Sequence, residues 1–95
     1  MKAHQKVASP VYVVSGSEGA SGEGLARSLL AQFVGGEVPL ILVPFVREPE
    51  QVQEVIRQAE ETRGIVLHTL VDANLRHILV RLAWEQNVLS VDLAG

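Results

Sequence analysis

Between an apolar run and the start of a helical pattern the chain reads VYVVSGSEGASGEG, Val11 to Gly24. The hydroxyls of Ser15, Ser17 and Ser21 and the uncrowded amides of Gly16 and Gly19 are donors of the kind that hold a phosphate at a strand-to-helix turn. Two later polar positions follow apolar runs in the same way: Arg47 in VPFVRE, and Thr69 with Asp72 in HTLVDAN. Arg47 is suited to an oxyanion contact and equally to pairing with Glu50, while Asp72 is most simply a helix N-cap.

The loop lacks the group that moves phosphoryl. A Walker-type loop needs G-x-x-x-x-G-K-[ST], whose lysine reaches the β/γ-phosphates, and no lysine follows Lys6. Gly16, Gly19, Gly22 and Gly24 also miss the G-x-G-x-x-G spacing of a dinucleotide loop, and Glu18 and Glu23 add negative charge. The residues therefore leave two readings open: an anion site, or a Gly/Ser turn that merely caps the first helix, which is the simpler of the two.

Other chemistries find less support. With no cysteine, disulfides, thiol catalysis and cysteine–zinc sites are excluded. His4, His68 and His77 have no i,i+4 pairing, so no metal site is expected. His68 falls inside a strand as a core or crevice histidine, His77 beside an exposed Arg76 on a helix. Ser15 and His68 could meet only through the fold, and no catalytic residue is assigned. A phosphoaspartate receiver would need an acidic pair after the first strand and a late lysine, and both are missing.

The elements that must position these residues are legible. Val11–Ser15 is a short β-branched strand. Leu25, Ala26, Leu29, Leu30 and Phe33 mark one helical face that Gly35 and Gly36 end. Val38–Phe45 is a second strand whose Pro39 and Pro44 favour a sheet edge. A second helix opens with Pro49 at its first position, buries Val52, Val55, Ile56 and Ala59, and stops at Gly64. Ile65–Leu70 is a third strand. A third helix follows Asp72, with Leu75, Ile78, Leu79, Leu82 and Ala83 on one side and Asn87 at its end. Val88–Leu93 is a fourth strand.

The 95 residues make one domain, with residues 1–9 as a flexible arm, and the hydrophobic content of 47% suits an aliphatic core. A net charge of −3 and a pI near 5.5 argue against a nucleic-acid footprint. No apolar run approaches the ~20 residues of a membrane span, so a cytoplasmic protein with no membrane partner is expected. The β-α-β-α-β-α-β order predicts a three-layer α/β fold, Rossmann-like or flavodoxin-like, with a four-stranded parallel sheet in the order 2-1-3-4. The first helix then lies on one face and the other two on the opposite face. Strands 3 and 4 are left bare on the first face, as if for a partner subunit or a further domain, and Trp84 packs at a helix edge or on that cover. The ligand crevice of such a sheet falls between strands 1 and 3.

Several segments together resemble one family, the bacterial pyruvate, phosphate dikinase and phosphoenolpyruvate synthase regulatory proteins. The loop S-G-S-E-G-A-S-G-E is similar to the family's S-D-S-T-G-E-T-A-E, with Ser15, Ser17, Gly19 and Glu23 matching and Ser21 standing for a threonine. VPFVREPEQVQEV resembles P-F-V-x-T-x-E-Q-V, HTLVDANLRHIL resembles Y-T-L-V-D-x-x-L-R, and NVLSVDLAG resembles V-x-x-V-D-L-L-G. Gly16 and Glu18 depart from the family's aspartate and threonine. The resemblance implies the N-terminal domain of a bifunctional regulator. Such a regulator phosphorylates a threonine of the dikinase or synthase with ADP and removes the phosphoryl group with inorganic phosphate, releasing pyrophosphate. It implies a P-loop kinase domain in the C-terminal half as the first partner, the dikinase or synthase as the second, and ADP or ATP and phosphate as ligands of the parent, with no cofactor in this chain. Homodimerisation is left open. The alternatives are a free-standing phosphate- or nucleotide-binding α/β domain, and a small enzyme using Ser15 or Asp72.

Overall fold

The computed structural model describes residues 9–33 and 38–93. Their elements are β1 (Val11–Val14), α1 (Ala20–Phe33), β2 (Leu40–Val43), α2 (Pro49–Thr62), β3 (Ile65–His68), α3 (Ala73–Glu85) and β4 (Ser90–Asp92). The strands pair in parallel in the order β2-β1-β3-β4, as the alternation of strands and helices predicts. Lys2, His4 and Lys6, the side chain of Phe33, and Gly35 and Gly36 lie outside the described residues.

Register divides the core. Tyr12 sits opposite Ile41 and Val66, and Val13 opposite Leu42 and Leu67, so alternate residues face opposite sides. Tyr12, Val14 and Val66 meet Val52, Val55, Ile56 and Ala59 of α2 and Leu75, Leu79 and Ala83 of α3 in one buried cluster. Val11, Val13 and Leu67 meet Ala26 of α1 in a smaller one. Two expectations change here. Leu25 is exposed, because it points off the buried stripe of α1. β3 is covered on the α1 side at Leu67 and partly at Ile65, so the most exposed surface of that face is at β4.

Helix ends follow local chemistry. Pro49 opens α2, and the Gln51 side-chain oxygen accepts from the backbone amides of Arg47 (2.6 Å) and Glu48 (2.9 Å). The left-handed residue that ends α2 is Arg63 (φ 56°), one position before the glycine that the sequence marks as the stop. Gly64 serves a different need. A Cβ there would lie 2.6 Å from the Pro10 carbonyl oxygen and 2.9 Å from the Tyr12 ring, so only hydrogen fits where the chain enters β3. The Tyr12 hydroxyl meets Thr62 Oγ1 at 2.9 Å and ties β1 to the end of α2. Asp72 caps α3 as expected, accepting from the Leu75 amide at 2.9 Å, and Asn87 (φ 59°) takes the left-handed turn after it.

Candidate functional site

The strand order reverses between β1 and β3, and the loops leaving their C-terminal ends open a crevice there. It is a cavity of about 440 Å³. One wall is polar: Ser15, Gly16 and Ser17 from the β1–α1 loop, with Arg47 from the β2–α2 loop. Thr69 and Asp72 form the far side, and Val46, Leu70, Val71 and Leu75 supply apolar surface. Six of the residues singled out from sequence thus meet around one space. Gly19 and Ser21 do not join them. Gly19 is buried at φ 89°, and its carbonyl accepts from the Glu23 amide as α1 begins. Ser21 is exposed in the first turn of that helix.

The polar wall is built by backbone exchange between two loops. The Val46 amide donates to the Ser15 carbonyl (2.9 Å) and the Phe45 amide to the Ser17 carbonyl (2.9 Å). Ser15 is buried. Its hydroxyl accepts from the Ser17 amide and lies 3.1 Å from the Ser17 hydroxyl. Arg47 turns to Gly16 rather than to Glu50: its Nε donates to the Gly16 carbonyl at 3.4 Å, and its guanidinium stands 5.5 Å from the centre of the Phe45 ring. Phe45 holds a left-handed backbone (φ 58°), which is rare for a bulky residue, and its side chain is exposed beside Arg47.

Arg76 is half-buried rather than exposed, because its guanidinium reaches back to the carbonyls of Leu70 (3.2 Å) and Val71 (3.4 Å) and braces the far wall. Directly before Thr69, His68 is buried, with no hydrogen-bond partner at Nδ1. Burial pushes its imidazole below the ordinary histidine value; Asp92, opposite it on β4, works against that shift and Arg76 adds to it.

These groups can accept and orient an anion. The lining holds hydroxyls, the Arg47 guanidinium, the Asp72 carboxylate and the start of α3, and among the described residues it contains neither lysine nor histidine. Sequence reading missed Phe45 and the apolar wall. Phe45 continues a hydrophobic run, and its one local signal is the preceding Pro44, which marks the end of a strand without giving the sign of the next φ.

An α/β sheet with a switch-point crevice defines a broad class, and comparison with known proteins narrows it. The model of the kinase/pyrophosphorylase family matches residues 11–95. The chain belongs to that family. A pyruvate, phosphate dikinase regulatory protein of Chloroflexus aurantiacus is 49% identical over 90 residues, covering 95% of this chain and 32% of the relative. Proteins of the same name from Halalkalibacterium halodurans and Desulfotalea psychrophila are 36% and 32% identical, each over 90% of this chain and 32% and 30% of their own lengths. This chain therefore spans about a third of the relatives it matches. Among the described residues no helix is long and apolar enough to cross a membrane.

Proposed function

We propose that this chain is the N-terminal, interaction-bearing part of a bifunctional regulator that switches pyruvate, phosphate dikinase or phosphoenolpyruvate synthase off and on in the cytoplasm. In this reading the parent phosphorylates a threonine of its target with ADP and reverses the modification with inorganic phosphate. The catalytic lysine and its P-loop belong to a C-terminal kinase domain, and the present domain positions an anion or a partner without transferring the group itself. What carries the reading is the family match over residues 11–95, joined to a serine- and glycine-rich loop without lysine and to Arg47 on the loop beside it.

Phosphoryl transfer is catalysed by positioning and charge neutralisation, so a crevice lined, among the described residues, by one guanidinium and a set of hydroxyls can contribute the first but little of the second. The test is ADP-dependent threonine labelling of purified dikinase and synthase. The 95-residue chain alone is expected to give none, and a longer protein carrying the P-loop to give labelling; activity of the short chain alone would overturn the reading. Ligand binding is a second reading, favoured by the crevice around Arg47. Amide NMR titration with phosphate, pyrophosphate and ADP is expected to shift residues 15–17, 47 and 69–72, and Arg47→Ala to abolish the shifts.

A further inference from the structure

The two borders of the sheet are finished differently. β2 lies between Pro39 and Pro44, residues that deny a neighbour its backbone donors, as a true edge should. β4 has no such guard. The segment VLSVDL carries no proline and no lysine, and no strand lies beyond it among the described residues. Its Leu89 and Val91 are 63% and 42% exposed on the α1 side.

On the other side of the sheet, α3 carries a second apolar surface. Val80 and Trp84, one turn apart, are 49% and 85% exposed. Leu82, on the opposite flank of α3, faces α2 across a groove shared with Ile56 and Arg57. Val80 and Trp84 therefore look away from α2 and out over the β4 border. An open strand edge and an open helix flank stand at the same end of the molecule.

Handedness says what fits them. If a further parallel strand joins β4, the right-handed crossover leading to it runs on the α2 and α3 side, which seats its helix beside α3 against Val80 and Trp84. We propose that the sheet continues past β4 with one more strand–helix unit, drawn from the two-thirds of the polypeptide that the relatives carry beyond the matched region. This rests on the reading that the chain is one part of a longer regulator. The added strand pairs with β4, and the added helix covers Val80 and Trp84.

The test grafts residues 11–95 onto the remainder of the Chloroflexus aurantiacus relative and compares amide exchange with that of the 95-residue chain. Exchange at residues 89–93 is expected to slow by about tenfold or more in the graft. Trp84→Gln is expected to leave the melting temperature of the short chain within about 2 °C and to lower that of the graft by about 4 °C. Unchanged exchange in a folded graft overturns the proposal. So does concentration-dependent protection of β4 in the short chain that Trp84→Gln removes, because the occupant is then a second copy. If the graft does not fold, amide exchange at the equivalent strand is compared between the intact relative and its own matched third: slower exchange in the intact relative supports the proposal, and equal exchange overturns it. Threonine labelling by the graft separates the two readings: labelling with an open β4 sinks only this inference, and a protected β4 without labelling sinks only the proposed function.

Discussion

The two faces of the sheet are covered by unequal means. On one, α2 and α3 bring Val52, Ile56, Leu75 and Leu79 against Tyr12, Val14 and Val66, and all of these are buried. On the other, α1 brings Ala26 fully into contact, leaves Leu29 and Leu30 half-buried and Leu25 exposed, and begins with Ala20, Ser21, Gly22 and Gly24. Glycine and serine are weak helix formers, so α1 is held by the sheet more than it holds it. On α2, by contrast, Arg57 bridges Glu54 and Glu61, and hydrogen bonds from Arg57 and Gln58 hold the Glu54 carboxyl down at about 2. Helix formers and exposed ion pairs of this kind support a helix locally, though each pair adds little to overall stability.

The contrast between the faces can be broken most severely at its stronger side. Leu79→Ala, at a fully buried position between α3 and the sheet, is expected to cost about 3 kcal/mol in urea unfolding. A loss well under that would mean the two faces share the core more evenly. Gly64→Ala should cost roughly 2 kcal/mol, since its methyl meets a backbone carbonyl that cannot swing aside. On the weaker side the sign reverses. Gly24 lies inside α1 with nothing within 4 Å of an added Cβ, and Gly24→Ala is expected to stabilise by about 0.7 kcal/mol.

The gentlest effect is a response to pH. The folded-state value of His68 lies below the ordinary 6.5, so the unfolded chain takes up the proton more readily. Stability is then complete above pH 6.5 and falls as the pH is lowered through and below it. His68→Leu is expected to flatten that part of the profile of unfolding midpoint against pH. A profile unchanged by the substitution would exclude His68 as its source.

Most of the fold was legible because hydrophobic period and punctuation agree. β-branched runs of four or five residues alternate with three- and four-residue spacing, and Pro49, Asp72 and Asn87 mark helix ends where the structure has them. The parallel order followed from the strand–helix alternation, the hand of the crossovers and the prolines that flank the second strand. What stayed hidden depends on who touches whom. Gly64 looked like a stop and proved to be a clearance for Pro10 and Tyr12; the stop itself fell to Arg63, which no composition rule favours in a left-handed turn. Ser15, Ser17, Arg47, Thr69 and Asp72 could be gathered from sequence because the switch point names their loops. Gly19 and Ser21 were placed with them by proximity in the chain, yet the start of α1 carries them away from the opening. Val71 escaped notice because an apolar residue on a rim looks, in a sequence, like an apolar residue in a core.

The pair of backbone hydrogen bonds from Val46 to Ser15 and from Phe45 to Ser17 laces the two loops of the polar wall together. A wall sewn in this way cannot yield by moving one loop. A guest that presses on it must fit the wall as it stands, or carry both loops along, and with them the first turn of α2 that Gln51 fastens to Arg47.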